Sequence, residues 1–244
     1  MGSFPEGIDY TFTVADIISH ARCRDPFDPG KLSGKEPVRR IVGRNGTKAD
    51  VLFYELDEER VAIKTYAPRN ALVRTTLGRW LIRREAAAYR ASEGVGAVPA
   101  FLGRIGPYAL VTQWVDAEPL RSRTKAELDQ SLFDRLALVL DELHGRGVAL
   151  ADLHHRDVLV DANDSIFVVD LATAWVLGRR PGPIRRLLFR RFCESDRVNL
   201  ARMRARFTGG DVEAAVASVS PEAAAWHRRG RWLKGFLDRL RRKH

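Results

Sequence analysis

Gly147-Val148-Ala149-Leu150-Ala151-Asp152-Leu153-His154-His155-Arg156-Asp157-Val158-Leu159-Val160 is the most informative stretch of the 244-residue chain. It starts where one pattern stops and ends where another begins. Upstream, Leu132, Phe133, Leu136, Val139, Leu140 and Leu143 recur at helical spacing on one face, and Gly145 and Gly147 close the run. Downstream, residues 158–160 and 166–169 are short apolar runs flanking the turn residues 161–164, which reads as a strand pair. Asp170 stands at the end of the second run. Charged side chains at the ends of apolar strands are well placed for chemistry, and a second case lies far upstream, at Lys64 in Val61-Ala62-Ile63-Lys64.

Working outward, residues 38–42, 51–56 and 60–66 are β-rich runs separated by turn chemistry at Asn45-Gly46 and 57–59. A helix is expected over 77–92, stopped by Gly94 and Gly96, with strands near 100–104 and 108–115. From about Ile184 the chain reads as helical. Residues 1–36, with Pro26, Pro29, Gly30 and Gly34 after a helical pattern at 14–20, read as a loosely packed N-terminal extension. The outline is α+β in two lobes: a small β-rich one over 37–116 and a mainly helical one over 117–244.

Val61–Lys64 resembles the VAIK motif of the protein-kinase-like superfamily, and other parts follow in order. Glu85 lies 21 residues on, in the next helix, where kinases carry the carboxylate that pairs with the lysine. The 147–160 stretch resembles a kinase catalytic loop in one of two registers. His155-Arg156-Asp157 spells the familiar triplet, but the Asn expected five residues later is Ala162. The other register makes Asp152 the catalytic base, with Asp157 five residues on and Asp170 18 residues on, which fits the family spacing. Asp170-Leu171-Ala172 is then a variant of the DFG motif.

The resemblance implies a bilobal kinase-like fold that uses ATP and Mg²⁺. Asp152 would accept the proton of the attacking hydroxyl. Lys64, oriented by Glu85, would hold phosphate oxygens, while Asp157 and Asp170 would hold the metal. Gly43, Gly46, Ala62, Lys64, Gln113 and Val115 would contact the nucleotide. His154 or Arg156 would neutralise charge on the transferred phosphate. The chain also departs from the pattern. The three glycine places of the phosphate loop hold Arg44, Gly46 and Ala49, with Gly43 one residue early. Leu150 replaces the usual histidine, Asp157 replaces the usual asparagine, and the stretch 175–183 is too short for a conventional activation segment.

Charge narrows the acceptor. The formal net charge is +10, from 41 Lys and Arg against 31 Asp and Glu. Residues 179–191 hold six arginines and no acid, and 228–243 hold eight basic residues against the single acid Asp238. Such patches attract polyanions, or form a solvated basic face. Kinases without an activation segment include lipopolysaccharide core (Kdo and heptose) kinases and RIO-type kinases. Residues 81–89, 108–120 and 196–203 are more similar to the first group. The expectation is phosphorylation of a sugar hydroxyl on a membrane-linked glycolipid, with peripheral contact to anionic membrane. A RIO-like serine/threonine kinase and a pseudokinase scaffold are the alternatives, and nucleic acid is disfavoured. The apolar face Trp232, Leu233, Phe236, Leu237 and Leu240 fits a helix docked on the second lobe or one lying at a membrane interface.

With 45% hydrophobic and 30% charged residues, composition is that of a globular chain, and excludes a disordered or collagen-like one. No apolar run approaches the roughly 18 residues a spanning helix needs. The opening residues 1–6 do not resemble a secretory signal. Two distant cysteines, Cys23 and Cys193, disfavour a disulfide framework and point to a reducing cytoplasm.

Overall fold

The computed structural model describes residues 27–57, 59–122 and 130–220. The helical pattern at 14–20, Cys23 and the amphipathic 231–242 face lie outside these residues. The architecture is mixed α+β, and the chain divides into two compact units. The first comprises residues up to Glu93 together with Pro99–Val115. The second comprises Gly94–Val98 and the chain from Asp116 onward.

The first unit is built on a five-stranded antiparallel sheet. Its strands are β1 (Arg39–Ile41), β2 (Asp50–Leu56), β3 (Glu59–Thr65), β4 (Phe101–Ile105) and β5 (Ala109–Gln113), in the order β1-β2-β3-β5-β4. Period-two alternation decides which face is which. Leu52, Tyr54 and Leu56 of β2 and Val61 and Ile63 of β3 point to one side and form the core with Ile105 and Val111. That burial pushes the Tyr54 phenol up to about 12, with the nearby Glu36 carboxylate adding to the effect. Ala62 and Lys64 therefore share the opposite face.

Residues 27–32 correct the expectation of a loose extension. Phe27 and Leu32 are buried in this same core, Leu32 completely, on a 3₁₀ turn over Pro29–Leu32 that Asp28 caps by accepting from Gly30 N. Proline and glycine here shape a tight turn and do not signal weak packing.

The helix of this unit starts earlier than the expected residue 77. A turn over Ala71–Val73 is capped by Asn70, which accepts from Val73 N at 2.8 Å, and it runs through a π turn over Arg74–Gly78 into α1 (Arg79–Ala91). Thr75 and Thr76 donate back to the carbonyls of Ala71 and Leu72, an arrangement propensity scales do not reward. Gly78 lies hard against Tyr66, where a Cβ would come within 2.8 Å of the ring and its Cβ.

The second unit has α2 (Gln130–Gly145), which buries Leu132, Phe133, Leu136, Leu140 and Leu143 along one face. Val139 is only partly buried. Gly147, at φ 77°, turns the chain out of the helix. Two small antiparallel ladders follow. One joins β6 (Glu118–Pro119), β8 (Val158–Val160) and β9 (Ile166–Val168); the other joins β7 (Val148–Ala149) to β10 (Trp175–Val176). The helices α3 (Pro183–Thr208) and α4 (Val212–Val219) complete it. Inside, Phe189 and Cys193 of α3 pack on Ala149, Trp175, Leu177 and Phe192. Burial raises the Cys193 thiol to about 11. Among the described residues no helix is long and apolar enough to cross a membrane.

Candidate functional site

Each unit assembles its own share of the candidate residues. In the first, Lys64 Nζ lies 3.0 Å from Glu85 Oε1 and 2.8 Å from Oε2. The two side chains come from different elements, β3 and α1. Sheet alternation turns Lys64 off the core side, and α1 turns Glu85 inward with Ile82, Ala86 and Tyr89. The Glu85 side chain is 1% exposed and the Lys64 side chain 15%. Ala62 stands on the same face as Lys64, paired with Phe53 and Thr112. Gln113 ends β5 opposite Val61, exposed, and Val115 is the last residue of the unit.

Gly43 and Gly46 lie in the connection from β1 to β2. At Gly43 a Cβ would fall 2.6 Å from Lys48 O and 2.8 Å from Ala49 O, so only glycine fits that fold of the loop. The loop is closed by a buried carboxylate that sequence reading overlooked. Asp50 accepts from Gly43 N and from Arg40, both at 2.9 Å, and also pairs with Arg69. Arg69 Nε in turn donates to Lys48 O at 2.7 Å. A charged residue inside a strand whose neighbours alternate with the core is the signal that would have found it.

In the second unit, Asp157 immediately precedes β8, and Asp170 lies two residues after the end of β9. The β8–β9 ladder continues one step past its last pair, with Val169 N donating to Asp157 O at 2.8 Å. This brings the backbone of Asp157 opposite the residue before Asp170, so the two aspartates occur at one end of the hairpin. Asp170 is left-handed (φ 62°, ψ 67°) and its Oδ1 accepts from Ala172 N at 3.4 Å.

No family model matches this chain, and no curated protein matches it.

The loop carrying Asp152 is fixed from two sides. Leu150 N donates to Asp196 Oδ2 at 2.8 Å, and Thr173 Oγ1 donates to Leu150 O at 3.0 Å. The Thr173 bond ties the Asp152 loop to the turn that follows Asp170, and the β7–β10 ladder ties the same segments again. Asp196, fully buried on α3, also meets His144 Nε2 at 2.9 Å. Ala151, just before Asp152, has φ 67°, a conformation that costs a residue with a Cβ roughly 1–2 kcal/mol. Thr173, Asp196 and His144 were not singled out in the sequence, since Thr173 falls after an apolar run, Asp196 sits mid-helix and His144 in the last turn of α2.

The histidines sort the two candidates for phosphate contact. Partial burial and the Arg156 charge hold His154 below the usual imidazole range, against the opposing pull of Asp152. Arg156 donates to His154 Nδ1 from both its backbone N, at 3.4 Å, and its Nε, at 3.3 Å. His154 is thus an acceptor and neutral near pH 7, which leaves exposed Arg156 as the permanent cation of the loop.

Two carboxylates at one hairpin end are hard oxygen donors. Among the described residues, no third His, Cys, Asp or Glu joins them in a cluster. That set fits Mg²⁺, which takes one or two carboxylates and completes its shell with phosphate and water, and does not fit a closed protein cage.

Proposed function

We propose that this chain is an ATP- and Mg²⁺-dependent phosphotransferase of the bilobal protein-kinase-like fold, acting on a sugar hydroxyl of a membrane-linked glycolipid. The observation that carries the reading is the two-pronged Lys64–Glu85 pair. A buried ion pair is poor value as a stabilising device, because desolvation offsets most of its attraction. Its use is to hold an ammonium group in one position on a sheet face, where it can meet phosphate oxygens.

The remaining roles follow from the residues. Glu85 fixes the lysine, and Asp157 and Asp170 would hold Mg²⁺. The metal, when bound, neutralises phosphate charge. Asp152, exposed on a loop anchored at Leu150, accepts the proton of the acceptor hydroxyl. Arg156 supplies positive charge beside it, since neutral His154 does not. Positioning and charge are most of what phosphoryl transfer needs. The short stretch from Leu171 to Gly182 favours a small or membrane-presented acceptor over a docked polypeptide.

Thermal stability with ATP, with and without Mg²⁺, tests the reading on wild type, Lys64→Ala and Asp170→Asn. A ligand at a hundredfold excess over its Kd stabilises the folded state by about 2.7 kcal/mol. A Mg²⁺-enhanced shift lost in both variants supports the assignment and opens a screen of glycolipid acceptors. No shift in wild type overturns it, in favour of a scaffold that binds partners without turnover.

A further inference from the structure

The first turns of α3 carry two apolar faces. Phe189 and Cys193 face inward and pack on Ala149 and Trp175. At about 100° per residue, Ile184, Leu187 and Leu188 form an i, i+3, i+4 stripe on roughly the other side. This stripe is exposed: Ile184 by 75%, Leu187 by 58% and Leu188 by 41%. Arg191 continues it one turn after Leu187 and Arg190 flanks it, while exposed Arg186 lies farther round the helix.

The charge around the stripe is of one sign. Residues 179–191 hold six arginines and no acid. Arg185 is engaged, donating to Val176 O at 2.7 Å and lying over Trp175, and Arg191 pairs with Glu194. Among the described residues, no carboxylate pairs with Arg179, Arg180, Arg186 or Arg190. Leu138 on α2 gives the contrast. It is 69% exposed, yet Asp134, Asp141 and Glu142 lie a turn away on the same helix, and the arginines that reach Asp134 and Asp141, Arg204 and Arg197, are paired with them.

We infer that the segment from Arg179 to Arg191, which leads into and forms the first turns of α3, docks on the surface of an anionic lipid bilayer. Ile184, Leu187 and Leu188 enter the headgroup–acyl boundary while the arginines hold lipid phosphates. Large aliphatic side chains among cations are the composition of an interfacial helix. Arginine stems can also lie along the apolar boundary with their charged ends in the headgroups. Nucleic acid fits this stripe less well. Bases stack on aromatic rings, and the aromatics here, Phe189 and Phe192, pack into the protein. The inference deepens the glycolipid reading by naming the surface that would bring the protein to its acceptor. Its test needs no nucleotide, so the two readings can fail separately.

The test is co-sedimentation of the full chain with vesicles of phosphatidylcholine alone and of phosphatidylcholine mixed with phosphatidylglycerol, at low and high salt. Wild type is compared with the triple variant Ile184→Gln/Leu187→Gln/Leu188→Gln, the quadruple variant Arg179→Gln/Arg180→Gln/Arg186→Gln/Arg190→Gln, and Leu138→Gln. All these positions are exposed, so unchanged thermal midpoints should confirm intact folding. The basic 228–243 stretch is present throughout, so any loss reports on α3. Expected are binding to the anionic vesicles only, a loss of roughly fivefold per arginine removed, a clear loss in the triple variant, and wild-type binding by Leu138→Gln. If the triple variant binds like wild type, the stripe does not insert and the inference is overturned. Binding to single-stranded nucleic acid with none to vesicles overturns it equally.

Discussion

Lys64 and Glu85 show what a buried ion pair implies for mutation. Removing one partner strands the other charge, and such a loss costs about 3–5 kcal/mol. Glu85→Ala should therefore lower the denaturant midpoint strongly, while Lys64→Met/Glu85→Leu should recover most of the loss, as a double-mutant cycle in urea would show. Activity should not recover with stability. His154 and His155 give a second prediction. Both are held below the usual imidazole value, chiefly by partial burial and then by positive neighbours, so the unfolded chain binds their protons more readily. Stability from this source is complete above about pH 6.5 and is lost as pH falls below it. The midpoint should drop between about pH 7 and about pH 5 more steeply in wild type than in His154→Gln/His155→Asn. A parallel fall in both proteins would remove the histidines as the cause. At this scale the sequence was most legible where a motif fixed spacing, as with Lys64 and Glu85. Asp50 stayed hidden because its partners, Arg40, Gly43 and Arg69, converge through the fold from separate segments.

Among the elements, the loop before Asp152 depends on a residue of a distant helix. Asp196 holds Leu150 N and meets His144, and it is fully buried. Asp196→Ala would leave Leu150 N without that acceptor, at about 1–3 kcal/mol. Thermal denaturation should show that loss, and hydrogen exchange at the Leu150 amide should speed up. Unchanged exchange would mean that the loop is held by Thr173 and the β7–β10 ladder alone. Ala151→Gly makes the opposite test, since glycine relieves the left-handed strain; the midpoint should rise by an amount worth up to about 1 kcal/mol. The long element α2 and the strands β2 and β3 were readable because their apolar periods run for several turns or alternations. The helix start at Ala71 was not, since Leu72 and Leu77 point to solvent and the π turn breaks the period. β7 and β10, two residues each, are too short for a period at all.

For the whole molecule, charge and class were legible and placement was not. Counting arginines located the basic run at 179–191, but only the fold reveals that its leucines face outward with them. Conversely, Pro29 and Gly30 mark a turn well enough, yet nothing local says that Leu32 closes a core with β2 and β3. Leu32→Ala should cost about 2–5 kcal/mol, and urea denaturation would detect it; a loss below that range would mean the segment does not help hold the first sheet. One buried atom offers a further use. The Cys193 sulfur sits under Trp175 and Phe192 with its thiol held near 11, so it is both shielded and protonated in the closed structure. In a Cys23→Ser background, a thiol reagent should label it only when the start of α3 lifts from the ladder. The labelling rate then becomes a clock for that opening, and vesicles or nucleotide that slow the clock can be ranked by how firmly they close it.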